Sequence, residues 1–185
     1  MKNRLTAFLI TILFAVLLVF SATVPALAQQ GPGIQGGPQE RIREKQVLYR
    51  EFTISSANIT GTSAGQLGHA NGVVLVAAPG ARKAIEFISA VVILDYATAA
   101  YTAGGNVSVN YAAGGAALSG VVSAANSIGA AADKIALLLP VVPTNNQLAS
   151  NTGLNLVSSA AFTQPGTAAG VVRVKVAYRL HTHGL

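Results

Sequence analysis

The sequence contains no cysteine, and this absence excludes disulfide bonds and any lipid anchor attached through a cysteine. Charge is also scarce: Asp, Glu, Lys and Arg together make up 10% of the 185 residues. A soluble monomer normally carries more charge on its surface. We therefore expect stability to come from an apolar core or from association, with part of the surface covered by other copies of the chain.

An export signal is predicted at the N-terminus. Lys2 and Arg4 precede a long apolar run, which ends in Ala26-Leu27-Ala28, the small-residue pattern of a cleavage site. This pattern predicts a signal peptide over residues 1–28 and a secreted or cell-surface protein, with membrane contact only through the leader before cleavage. The alternative is an uncleaved anchor, because the apolar run is long enough to span a bilayer.

Residues 29–46 are rich in glycine, proline and glutamine and predict a flexible N-terminal arm. Such an arm either docks on a neighbouring subunit or is a disordered linker. Without the leader, ten basic and six acidic residues leave a net charge of +4. This mild excess predicts no nucleic-acid partner, although it would not repel an anionic surface.

From residue 47 onward, short apolar segments alternate with glycine and proline turn signals, which is typical of an all-β sandwich or barrel. A single domain is expected over residues 47–185. The predicted strands lie within residues 47–55, 73–80, 83–98, 101–115, 134–140, 154–162 and 171–183. Residues 116–138 leave two interpretations open, because the run of alanine and leucine also suits a helix.

The segment 83–98 is apolar on both alternations of a strand, which predicts burial on both faces. One face should belong to the core of the subunit, and the other should meet a helix, a loop or another subunit. The first alternation comprises Ile85, Phe87, Val91 and Ile93, and the second comprises Ile88, Val92 and Leu94. The pattern does not say which set lies in the core and which forms the interface.

No arrangement of residues predicts catalysis, so we expect a non-enzymatic protein without a cofactor. A glycosidase needs two carboxyl groups facing one another across a cleft. Glu86 and Asp95 lie nine residues apart in one predicted strand, which would place them on opposite faces. The sequence also contains neither a G-x-S-x-G elbow nor a phosphate-binding loop.

The last predicted strand places Arg173, Lys175 and Arg179 on one face. These side chains either contact an anionic ligand such as a polysaccharide or form the solvated face of an antiparallel strand. His181 and His183 continue the same face and are weak candidates for metal ligands. Because no carboxylate lies near them in sequence, no metal site is predicted.

Two blocks, residues 75–111 and 170–181, resemble small structural proteins encoded by tailed bacteriophages. The shared features are a turn at Pro79-Gly80, a long strand ending near Leu94-Asp95-Tyr96, a glycine-rich hairpin leading into a one-sided strand over Tyr101 to Tyr111, and a final basic strand containing Tyr178-Arg179. The resemblance implies a jelly-roll-like antiparallel β-sandwich that associates with itself as a head, decoration or fibre component of a virion. The leader departs from that group, whose members are assembled in the cytoplasm.

The sequence therefore predicts an exported structural subunit whose partner is itself, as a homo-oligomer or a filament. The alternative prediction is a secreted β-sandwich that binds carbohydrate or another anionic surface.

Overall fold

The structure is a computed structural model and describes residues 46–112, 114–141, 148–164 and 170–182. The predicted signal peptide, the predicted arm up to residue 45, and His183 lie outside the described residues. The predictions made for them therefore stay predictions. Within the described ranges, no helix combines the length and the apolar character that crossing a membrane requires.

The described part of the chain forms seven β-strands and one short helix. The strands are β1 (Leu48–Ile54), β2 (Val73–Val76), β3 (Lys83–Asp95), β4 (Val107–Tyr111), β5 (Lys134–Leu138), β6 (Leu154–Ser158) and β7 (Val171–Thr182). Each lies inside a segment for which the sequence predicts a strand. The helix, α1 (Ser56–Thr60), lies between the predicted strands 47–55 and 73–80, and it begins where the Ser55 side chain accepts a hydrogen bond from the Asn58 N–H.

The strands pair antiparallel in two sheets, which confirms the predicted all-β sandwich. Sheet A has four strands in the order β1-β7-β3-β5, and sheet B has three in the order β2-β6-β4. Every second residue of a strand points inward, toward the other sheet, because successive side chains of a strand lie on opposite faces. The inward residues form one core, which includes Val92, Leu138 and Val174 from sheet A and Val109 and Leu156 from sheet B.

Residues 116–138 do not form an α-helix in the structure. Residues 117–122 run beside β4 through isolated bridges, Val107 with Val122 and Asn110 with Ala117. A single 3-10 turn follows at Ala124–Asn126, and the segment ends in β5. Turn-forming glycine and serine between the alanines favour this irregular path over a continuous helix.

A β-bulge in β3 decides which of its side chains enter the core. The register with β7 shifts between Phe87 and Ser89, so one extra residue is inserted at Ile88. As a result, Ile85 and Phe87 lie on the inner face together with Val92 and Leu94, and all four are buried. The sequence prediction that Ile85 and Phe87 share a face with Val91 and Ile93 is therefore wrong, because it assumes an unbroken alternation.

Two aromatic rings pack against each other within the core. Tyr101 and Phe162 pack edge to face with their ring centroids 6.5 Å apart. The Tyr101 hydroxyl lies 2.7 Å from the Ser56 hydroxyl and donates to the Gly170 carbonyl oxygen at 3.1 Å. Gly104 lies directly against the Phe162 ring, where a Cβ atom would overlap the ring carbons.

Candidate functional site on the outer face of sheet A

The outer face of sheet A collects most of the residues that the sequence singles out. On β7 the inward side chains of Val172, Val174, Val176 and Tyr178 are buried. The intervening residues point to the outside, including the predicted stripe of Arg173, Lys175 and Arg179. The alternation seen in the sequence of this strand is thus present in the structure.

The basic stripe lies beside carboxylates from the two neighbouring strands. Asp95 on β3 accepts hydrogen bonds from Arg173 at 2.8 and 3.1 Å. Glu51 on β1 lies 3.6 Å from the Lys175 ammonium and 3.9 Å from the Arg173 guanidinium. We call the row formed by these four side chains the charge ladder.

A second group of charges lies further along the same face. The Glu86 carboxylate accepts a hydrogen bond from Arg179 at 2.9 Å and lies 2.8 Å from the His181 Nε2 atom. The hydrogen bond to His181, together with the positive charge of Arg179, lowers the pKa of Glu86 below its ordinary value of 4.5, although partial burial acts in the opposite direction. Glu86 is therefore ionised at neutral pH.

Every cation of the predicted anion-binding stripe therefore has a carboxylate within 4 Å. Three carboxylates, Glu51, Glu86 and Asp95, face the three cations, so the positive charges of the stripe are matched one for one. An incoming anion would have to compete with these carboxylates. The arrangement favours the interpretation of the stripe as a solvated, internally neutralised strand face.

The bulge in β3 also corrects the predicted positions of Glu86 and Asp95. Both face outward, because their partners Arg179 and Arg173 lie on the same face of β7. The prediction of opposite faces is therefore wrong. The two carboxylates still do not form a catalytic pair, since their arginine partners are six residues apart along the strand, about 20 Å. The fourth described carboxylate, Asp133, accepts the Tyr96 N–H at 2.8 Å.

The weak metal candidates are not brought together with other ligands in the described structure. His181 bonds to Glu86, and His183 lies outside the described residues. In its own loop, His69 accepts the Asn71 N–H through Nδ1 at 3.1 Å. Among the residues that the structure describes, no group of three or more histidine, aspartate or glutamate side chains is placed to hold a metal ion.

The other half of the outer face is apolar. Val91 and Ile93 of β3 point outward and lie directly opposite Leu137 and Ile135 of β5. Ile135 is 75% exposed and Leu137 is 53% exposed, whereas Val91 and Ile93 are half-buried. We call these four side chains the apolar patch. Its members on β3 belong to the residues predicted to form either an interface or the core.

Sequence reasoning missed the contribution of β5 to this surface. All of Ile135 to Leu139 are apolar, so no alternation separates outward Ile135 and Leu137 from buried Ala136 and Leu138. Only the pairing of β5 with β3 shows which residues are exposed. Ile88, the remaining residue of the predicted interface set, lies at the bulge and is half-buried.

No protein-family model matches the sequence, and comparisons with curated proteins and with solved structures also give no match. The geometry of this face is therefore the basis for proposing a function.

Proposed function

We propose that this protein is an exported structural subunit that associates with copies of itself through the outer face of sheet A. The observation that carries the proposal is the apolar patch. A branched aliphatic side chain that is 75% exposed, beside a leucine that is 53% exposed, leaves apolar area in contact with water. Contiguous exposed apolar surface of this kind marks interaction sites.

The strand order is consistent with the resemblance to phage structural proteins. β1 pairs with β7, β2 with β6, and β3 with β5, while β4 lies beside residues 117–122. If residues 117–122 are counted as a further strand between β4 and β5, the chain has eight strands. The first then pairs with the last, the second with the seventh, the third with the sixth and the fourth with the fifth, and this pairing corresponds to a jelly roll. That arrangement recurs in capsid and lectin domains, so the jelly-roll topology that we propose for this chain would support a role in assembly.

The ion pairs of the basic stripe give less support to the alternative, a secreted module for carbohydrate or another anionic surface. Arg173, Lys175 and Arg179 are each paired with a carboxylate of the same chain, so the face offers an anion no excess of positive charge. The export part of the proposal rests on the predicted signal peptide. We propose that such a subunit belongs either to a virion or to a cell-surface assembly.

The test is the oligomeric state of the protein purified after expression of the full chain, with its N-terminus read by mass spectrometry. Light scattering coupled to size exclusion should show mass increasing with concentration. The variant Leu137→Lys should shift the equilibrium toward the monomer. Val74→Lys is the matched control, because Val74 is an exposed valine, 51% accessible, on the edge strand of the other sheet. A wild-type protein that stays monomeric at high concentration would overturn the proposal.

A further inference from the structure

The edges of the two sheets differ in how well they are protected against pairing with another chain. An edge strand exposes unpaired N–H and C=O groups, and proteins protect such edges with charges, bulges, short strands or covering segments. In sheet A the outer strands are β1 and β5, and in sheet B they are β2 and β4.

Three of these four edges carry a recognisable protection. β1 has two exposed charged residues in its middle, Arg50 and Glu51. β2 has only four residues and an irregular register between Val74 and Val76. β4 is covered by residues 117–122, whose Val122 exchanges backbone hydrogen bonds with Val107 at 2.8 and 2.9 Å.

The edge of β5 is different. Its one charge is at its first residue, Lys134, and the four residues that follow are apolar. Among the described residues, β3 is the single strand that pairs with β5, so its second edge has no partner strand. Ile135 and Leu137 stand exposed beside this open edge.

The open part of the edge ends shortly after β5. The Leu139 carbonyl oxygen accepts a hydrogen bond from the Gly120 N–H at 3.0 Å, and the Val141 N–H donates to the Leu118 carbonyl oxygen at 3.0 Å. Residues 139–141 are therefore hydrogen-bonded to the segment that covers β4. What remains open is Lys134–Leu138, and the central residue of that stretch is Ala136.

We propose that β5 pairs antiparallel with β5 of a second copy, about a two-fold axis near Ala136, to form one continuous eight-stranded sheet. This inference rests on the proposed function and places its contact at the β5 border of the outer face, where Ile135 and Leu137 of the two copies contact one another. Pairing about Ala136 places Ile135 of one copy opposite Leu137 of the other, so the apolar patches of both copies become one surface. The interface is isologous, and such a contact closes as a dimer and does not extend into a filament.

Two further observations favour a second copy in this geometry. The four residues after Lys134 are uncharged, so the strand meets itself without repulsion, whereas pairing β5 with β1 would bring it against Arg50 and Glu51. In addition, Ile135 and Leu137 are exposed beside the open edge of β5, so a second copy that pairs along this edge also covers part of both side chains.

The absence of cysteine from the chain allows a direct test of this register. Ile135→Cys and Leu137→Cys proteins would be prepared separately, then mixed under mild oxidation and separated on a non-reducing gel. A covalent dimer should form in the mixture, because these positions face one another, and should be weak in either variant alone. Val74→Cys is the control for random collision. A mixture that cross-links no better than this control would overturn the proposal, and so would a Leu137→Cys protein that cross-links equally well by itself.

A second measurement separates failure of this inference from failure of the proposed function. Analytical ultracentrifugation over a concentration range should show one dimeric species. Ile135→Lys should raise the dissociation constant of this dimer at least tenfold, while the far-ultraviolet circular-dichroism spectrum, which reports secondary structure, stays unchanged. A wild-type monomer would overturn both proposals. Oligomers that dissociate with Ile135→Lys but give no cross-link in the mixture would overturn edge pairing alone.

Discussion

Leu137 and Leu138 are adjacent, chemically identical residues of β5, and they provide a sharp test of the described register. Leu138 points into the core and is 1% exposed, whereas Leu137 points outward and is 53% exposed. Leu138→Ala removes three buried carbon atoms, about 2.4 kcal/mol of transfer free energy at about 0.8 kcal/mol each. The cavity left behind raises the expected loss of unfolding free energy to about 3–4 kcal/mol.

Leu137→Ala removes the same atoms from a half-exposed position, so we expect a loss of about 1 kcal/mol. Urea denaturation should be measured at the lowest usable concentration, so that dissociation of copies does not contribute. At about 2–4 °C per kcal/mol for a domain of this size, Tm should fall by about 6–16 °C for Leu138→Ala and by a few degrees for Leu137→Ala. Equal or reversed losses would mean that β5 is shifted by one residue, and would refute both the apolar patch and the edge-pairing inference.

Three other predictions concern packing, hydrogen bonding and pH. Gly104→Ala should lower stability by about 1–3 kcal/mol, because the methyl group displaces the buried Phe162 ring; an unchanged Tm would show that the ring does not lie there. Tyr111→Phe should cost about 1 kcal/mol in denaturant titrations, because it removes the hydroxyl that donates to the Ile85 carbonyl at 3.0 Å; burial raises the pKa of Tyr111, so the hydroxyl keeps its proton. The pKa of Glu86 is lower in the folded chain than in the unfolded chain, so the unfolded chain binds a proton at this carboxylate more readily. The stability that the ionised carboxylate contributes is therefore present above about pH 4.5 and is lost as the pH falls through the folded-state pKa. Because the side chain is 36% exposed, we expect less than about 1 kcal/mol, and Glu86→Gln should abolish this part of the acid dependence; an identical pH profile for the two proteins would contradict it.

The positions of the strands could be read from the sequence because turn signals separate short apolar runs. β7 is the clearest case: Val172, Val174 and Val176 alternate with charged residues or alanine, and the structure buries all three valines. A polar residue at every second position leaves one register in which the apolar side chains avoid water. The same reasoning applies to β4, where Val107, Val109 and Tyr111 are buried and the residues between them are not.

The candidate site could be predicted only in part. The sequence identifies Arg173, Lys175 and Arg179 as residues of one face, but it does not reveal their partners, which lie far away along the chain. Asp95 precedes Arg173 by 78 residues, and Glu86 precedes Arg179 by 93. These contacts exist because β3 and β7 are neighbours in sheet A, and strand order is not encoded in any local pattern.

The sequence by itself determined that this chain forms short strands, that the strands bury aliphatic side chains, and that little charge remains for the surface. Those properties depend on residue type and on the period of two along a strand, which are local. The tertiary structure alone decided which apolar residues stay exposed. In β3 the faces are assigned by the bulge at Ile88, and in β5 by pairing with β3, because both strands are apolar at nearly every position and either face could have been buried.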